Sequence, residues 1–138
     1  YQIIYEYFFN NKKIAPPAPT ASIEYKGHTI AVKLAETDAT REQGLSGTPS
    51  LAPDTGMFFI FEKPGNWGFW MKDMVYPIDI VWLDSNFRIV HIAENLTPAT
   101  YPTVFYPNTS SMYVLEINAF DARRYNFVQG AQLQFKRS

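Results

Sequence analysis

Apolar positions in this chain recur mostly two residues apart, and that period predicts strands. Ile23 to Lys26 and Thr29 to Leu34 flank Gly27-His28, with Ile30, Val32 and Leu34 alternating against Thr29, Ala31 and Lys33, the pattern of a hairpin. One helical signal follows: Thr37 or Asp38 as cap, then Arg41 and Gln43, then Gly44 as stop, room for about two turns. The stretch 46–56 (SGTPSLAPDTG) is turn-rich and leads into Met57 to Phe61, apolar on both faces and therefore read as a buried strand. Pro64-Gly65-Asn66 turns the chain. Phe69 to Met74, Ile78 to Leu83 and Phe87 to Ile92 continue it as a meander, joined at Tyr76-Pro77 and at Asp84-Ser85-Asn86. A long loop from Glu94 to Ser111 precedes a strand from Met112 to Asn118. Asp121 to Asn126 reads as a turn or short helix, and Leu133 to Phe135, after Gly130, closes the sheet. The fold class expected is mainly β, a small β-sandwich or partly open β-barrel with one short α-helix.

The start of the chain has a different pattern. Tyr1 to Phe9 is apolar and aromatic, with Ile3, Ile4, Tyr7 and Phe8 at helical spacing, and it runs into Asn10-Asn11-Lys12-Lys13. Aromatics at an interface followed by lysines is how a membrane-spanning helix commonly finishes, so residues 1–13 are read first as the end of an anchor whose remainder is missing. Two other readings stay open: packing on its own domain, or self-assembly in which Tyr1 to Lys13 adds to a neighbouring subunit's sheet. Ala15 to Ser22 (APPAPTAS) has no apolar period and three prolines, so 14–22 is read as an extended linker and 23–138 as a single β-rich domain. This arrangement suits an extracytoplasmic protein, membrane-tethered or secreted.

Composition narrows the classes. A chain of 138 residues, 46% hydrophobic and 17% aromatic, can fill one core. A net charge of -1 and a pI near 6.1 give no basic field to gather phosphates, so nucleic acid is not an expected partner. With no cysteine, disulfides, thiolate catalysis, Fe–S clusters and thiolate zinc sites are removed together. His28 and His91 are isolated and the acids scattered, so neither a metal nor a cofactor is expected; a calcium loop at Asp54 stays open.

Five blocks carry a resemblance: R-E-Q-G-L at Arg41 to Leu45, G-M-F-F-I-F at Gly56 to Phe61, F-W-M-K-D-M at Phe69 to Met74, P-I-D-I at Pro77 to Ile80 and V-L-E-I-N-A at Val114 to Ala119. In this order they resemble domain-of-unknown-function family 192, over roughly Ile23 to Lys136. The resemblance implies a compact, mainly β fold with a short helix, often behind a signal or membrane anchor, and no activity. Ser46 stands where the family usually has methionine, Phe120 and Asn126 where it has glycine, and Ala131 where it has aspartate. Two of these positions suggest a positive φ, which asparagine tolerates and phenylalanine does not, so a remodelled turn is expected around Phe120.

Read as strands, Trp70, Lys72 and Met74 face one way and Phe69, Met71 and Asp73 the other, while Asp79 lies opposite Ile78, Ile80 and Trp82. Asp79 and Glu116 each interrupt an apolar run, and Arg41 and Lys72 are the available cations. A buried ion network that fixes the register is one outcome. The other is a small polar pocket with Arg41, Trp70, Lys72, Asp73, Tyr76, Asp79 and Glu116 as contacts and Trp67, Trp82 and Tyr101 suited to stacking on sugar rings. No catalytic residue is assigned. The expectation is a non-catalytic binding or assembly module at the cell envelope, with carbohydrate or an envelope protein as partner. The competing readings are a hydrolase of envelope carbohydrate using Asp79, Glu116 or Asp73 with Arg41, and a filament or oligomer subunit. Asn95-Leu96-Thr97 and Asn108-Thr109-Ser110 match the glycosylation sequon, both within the loop expected from Glu94 to Ser111.

Overall fold

The computed structural model describes residues 20–138; the expected anchor, the self-assembly arm and most of the linker lie outside them. Strand β1 (Thr20–Tyr25) already begins at Thr20, so Thr20 to Ser22, read from composition as linker, are paired in the sheet. Lys26 and Gly27, both at positive φ, turn β1 into β2 (His28–Ala35). His28 therefore opens a strand instead of sitting in the turn, its ring edge-on to Tyr125 at 5.1 Å.

Helix α1 (Asp38–Gln43) is short and closely specified. Thr37 accepts the Thr40 N–H while Thr40 returns a bond to the Thr37 N–H, and Gly44 at φ 49 ends the run. The chain then returns as β3 (Thr55–Gly65), parallel to β2 and not antiparallel as a meander would require. β4 (Phe69–Trp70), β5 (Ile78–Leu83), β6 (Ile89–Leu96), β7 (Val104–Phe105), β8 (Ser111–Asn118), helix α2 (Asp121–Arg124) and β9 (Gln134–Arg137) complete the described chain. The main sheet runs β6-β5-β8-β3-β2-β1-β9, and β4 pairs with β7 in a separate two-stranded flap. Consecutive antiparallel pairing survives in β1–β2 and β5–β6, β2 and β3 pair in parallel, and β8 inserts out of order between β5 and β3. The fold is mainly β, with a large sheet that is not closed into a barrel and two short helices where one was expected.

Both faces of this sheet are buried. On one, Ile23, Ile30, Val32, Phe58, Val81 and Leu115 pack with Ala122 of α2 and with Tyr125 and Phe127 beyond it. On the other, Phe59, Ile80, Trp82 and Val114 pack under Leu45, Met71 and Met74. Two apolar faces explain why β5 is buried at every position. They also explain why Phe58 and Phe59 are both apolar: neighbours along a strand serve opposite cores.

The block from Phe69 to Met74 is a strand only at Phe69–Trp70. Beyond Trp70 it turns, the Met74 N–H donating to the Met71 carbonyl and Asp73 taking φ 58, so Met71 and Met74 are buried together. The expected alternation of faces fails here because three-residue spacing, not two, brings both methionines onto the core. Asn95 falls within β6, while Asn108 stays in the loop before β8, both exposed.

Phe120 keeps the left-handed conformation at φ 73, with its side chain 64% exposed, and Asn126 sits at φ 60. The turn is therefore not remodelled around phenylalanine; the residue is held in a conformation that costs a Cβ-bearing residue about 1 kcal/mol. Phe120→Gly should raise stability by about 0.5–1 kcal/mol, read as a higher urea midpoint at unchanged m. A lower midpoint would mean that the exposed ring contributes contacts of its own.

Candidate functional site

A cavity of about 760 Å³ opens on the Trp82 face of the sheet. One wall is α1 and its exit, Asp38 to Ser46; the other is the end of β3 with Trp67 to Trp70, and Met74 and Glu116 also contribute. Its lining is aromatic in the middle, with Phe59, Phe61, Trp67, Phe69 and Trp70, and charged at the rim. Phe61 and Trp67 lie nearly parallel, ring centroids 4.3 Å apart, and Phe69 stands edge-on to Phe59 at 4.8 Å. Such offset and edge-on contacts give rigid walls.

Glu116 is the unusual group. It sits in the middle of the sheet, paired across strands with Met57 and Ile80, only 5% exposed, and reaches the cavity. Among the described residues its carboxyl has no hydrogen-bond or ion-pair partner, and because no fully enclosed side-chain oxygen there goes unpartnered, its oxygens open onto the cavity. Burial alone pushes it up to about 8, so the site holds a neutral carboxylic acid at neutral pH. Above it Arg41 is already committed. Its guanidinium donates to the Ile60 carbonyl at 2.7 Å and to Asp38 at 2.8 Å, and lies 5.4 Å from the Phe61 ring centre.

Of the residues singled out in the sequence, Arg41, Trp70 and Glu116 line this cavity; Lys72, Asp73, Tyr76 and Asp79 do not. Lys72 is exposed, its ammonium 5.7 Å from the Trp70 ring centre. Asp73 is exposed in the turn, and its carbonyl accepts the Gly47 N–H. Tyr76 hydrogen-bonds Thr48 at 2.7 Å; burial, then the nearby Glu116 charge, raises its hydroxyl above the ordinary range. Asp79 faces the other core. Wholly buried, it accepts the N–H groups of Asn95 at 2.8 Å and Ala122 at 2.9 Å, and burial still holds its carboxyl above the usual range. The expected network of Arg41, Lys72, Asp79 and Glu116 is thus not assembled: Arg41 and Glu116 border the same cavity without an ion pair between them, while Lys72 and Asp79 lie elsewhere.

Trp82 is fully buried and donates to the Trp67 carbonyl at 2.8 Å, so it supports the cavity from below and offers no stacking face. Asp54 is bound by Arg124 at 2.6 Å and Tyr125 at 2.7 Å, and no group of three metal-type ligands occurs among the described residues. Sequence reasoning passed over Phe59, Phe61, Glu42, Glu62 and Lys63. The signal for the two phenylalanines was present, since Met57, Phe59 and Phe61 share one face of β3, the face on which Met57 meets Glu116.

Fold and cavity together define a small, mainly β domain with an open, aromatic-walled pocket on one face of its main sheet. The chain belongs to the family DUF192, described as an uncharacterized ACR, whose family model matches residues 21–135. No functionally curated protein matches it. Among solved structures it is similar to a protein of Sinorhizobium meliloti 1021 provisionally described as a transcription regulator, at 28% identity and a TM-score of 0.78, covering 89% of this chain and 97% of that one. It is also similar to a protein of unknown function from Novosphingobium aromaticivorans DSM 12444, at 27% identity and a TM-score of 0.77, covering 88% and 93% respectively.

Proposed function

We propose that this protein is a non-catalytic binding module that takes a small ligand in the cavity between α1 and Trp67–Trp70, displayed at the cell envelope on its N-terminal spacer. The observation that carries the binding role is Glu116: a buried carboxyl, without a protein partner among the described residues, at an open cavity with aromatic walls. Buried polar groups are normally hydrogen-bonded, and a group that instead borders open space is available to a ligand. Envelope display rests on the sequence reading of 1–19 as an arm and a proline-rich linker.

A paired-carboxylate hydrolase is less well supported. Asp79 pairs with Ile117 and Ile80 with Glu116 across β5 and β8, so the two carboxyls point to opposite faces of one sheet and cannot flank one sugar. The regulator description of the Sinorhizobium relative gains no support from this chain, whose helices in the described region have six and four residues and whose net charge is -1.

The test is Trp70→Ala in the full chain, screened with wild type against envelope saccharides and small metabolites by tryptophan fluorescence. Trp70 is 46% exposed, so its loss should weaken a hit at least about fivefold while leaving Tm nearly unchanged. Equal losses of affinity and stability would remove the pocket. A C-terminal alkaline phosphatase fusion should be active if the domain is displayed outside the membrane, and inactive if it is not.

A further inference from the structure

We infer that the ligand of this cavity is an organic cation, an alkylammonium group seated among the aromatic walls with the Glu116 carboxylate as its counter-ion. This rests on the binding role proposed above and supplies the ligand class for the same site.

Three observations converge. Glu116 is 5% exposed between Met57 and Ile80, and burial is the whole cause of its displacement, with no cation offsetting it. A buried carboxyl in that state is a missing half of a pair. Second, the lining holds four acids, Asp38, Glu42, Glu62 and Glu116, against Arg41 and Lys63. Arg41 is engaged by Asp38 and the Ile60 carbonyl, which leaves Lys63 at the exposed rim as the base free to meet an anion among the described lining residues. An anionic ligand would therefore meet surplus negative charge. Third, the walls are ring faces and edges, and cations already lie against two of these rings, Arg41 over Phe61 from within the lining and Lys72 over Trp70 from outside it. A desolvated cation over such rings is held by the negative potential of their faces.

The pairing has a proton signature. The groups facing or bordering Glu116 are Asp38, Arg41 and Glu42 from α1, Glu62 and Lys63 from β3, and Tyr76 from the turn before β5. Asp38, Glu42, Glu62 and Lys63 are exposed, whereas Glu116 is buried and neutral when the cavity is empty. Seating a cation ionises it, so the O–H proton leaves to solvent as the ligand enters. A neutral ligand would keep that proton and use the carboxyl as a hydrogen-bond donor.

The experiment is calorimetric titration of the full chain at pH 7 with choline and with dimethylbutanol, its uncharged carbon isostere, in buffers of different ionisation enthalpy. Choline should bind at least about tenfold tighter than the isostere and release close to one proton. In Glu116→Gln the preference for choline should collapse toward parity. A third probe, N-acetyl trimethyllysine amide, separates the sources: tighter binding than choline points to a modified protein side chain, weaker binding to a free metabolite, and either supports the cation. Isostere binding as tight as choline, or choline binding without proton release, overturns the inference and leaves the binding role standing. No binding of any probe also overturns it, and the Trp70→Ala screen then decides the binding role separately.

Discussion

Replacing Asp79 with alanine should cost about 3–5 kcal/mol and leave little folded protein at 37 °C. The reason is a helix that cannot cap itself. α2 begins after Phe120, which has no side-chain acceptor to offer, so the first N–H groups of the helix have no partner from their own segment. Asp79 supplies it from β5: one carboxylate oxygen takes the Ala122 N–H and the other the Asn95 N–H at the end of β6. Ala122 is fully buried, so water cannot replace the lost acceptor. Each buried donor left unmade costs about 1–3 kcal/mol, and the cavity left by the side chain adds to it. Asp79→Asn should cost less than alanine but still destabilise, because the amide oxygen can accept one of the two N–H groups while its NH2 faces the other. Urea unfolding measures both. A loss below about 1 kcal/mol for alanine would mean that Asp79 is dispensable to the fold and available for other work.

Much of the architecture was written in local patterns. Thr37 and Gly44 bracket α1 where the sequence puts them, and the period of Ile30, Val32 and Leu34 reads as the inward face of β2. Out-of-order pairing was not legible, because nothing in β2 or β3 distinguishes a parallel partner from an antiparallel one. Phe69 to Met74 misled for a physical reason: its aromatics and β-propensity suit a strand, yet the turn at Asp73 lets Met71 and Met74 reach the same core. At Phe120 the backbone geometry outranked the residue. The neighbouring Asp79 bonds hold the left-handed turn, and an exposed phenylalanine is carried in it.

The site was legible in types and not in partnerships. Polar residues inside apolar runs marked Asp79 and Glu116 equally, since burial of either carboxyl follows from its neighbours in the chain. Only the register, Ile80 against Glu116 and Asp79 against Ile117, reveals that they face opposite cores. One then finds backbone donors and becomes structural; the other finds apolar side chains and an open cavity. Arg41 was expected to answer a buried carboxylate, but Asp38, three residues earlier on the same helix, is closer to hand and takes it at 2.8 Å.

Glu116→Gln should make the protein more stable, and only on the alkaline side. In the unfolded chain this carboxyl titrates near 4.5, and in the fold near 8. Between those values the native state holds a proton that the unfolded state has released, so stability falls as pH rises, by up to about 1.4 kcal/mol per pH unit. Below about 4.5 the contribution is fully present; above about 8 it has been lost. Glutamine has the shape of the protonated acid and no proton to lose, so its curve lacks this slope. Unfolding free energies from urea titrations should accordingly be similar for wild type and variant near pH 5 and diverge by a few kcal/mol near pH 8. Parallel curves would show that Glu116 ionises freely within the fold, through water reaching it from the cavity, and that no uncompensated acid is stored there. Divergent curves would identify the source of the energy available to a ligand: whatever neutralises Glu116 on entering recovers the stability that alkaline pH removes, so a cation that binds the cavity should raise the wild-type midpoint most at pH 8 and least at pH 5.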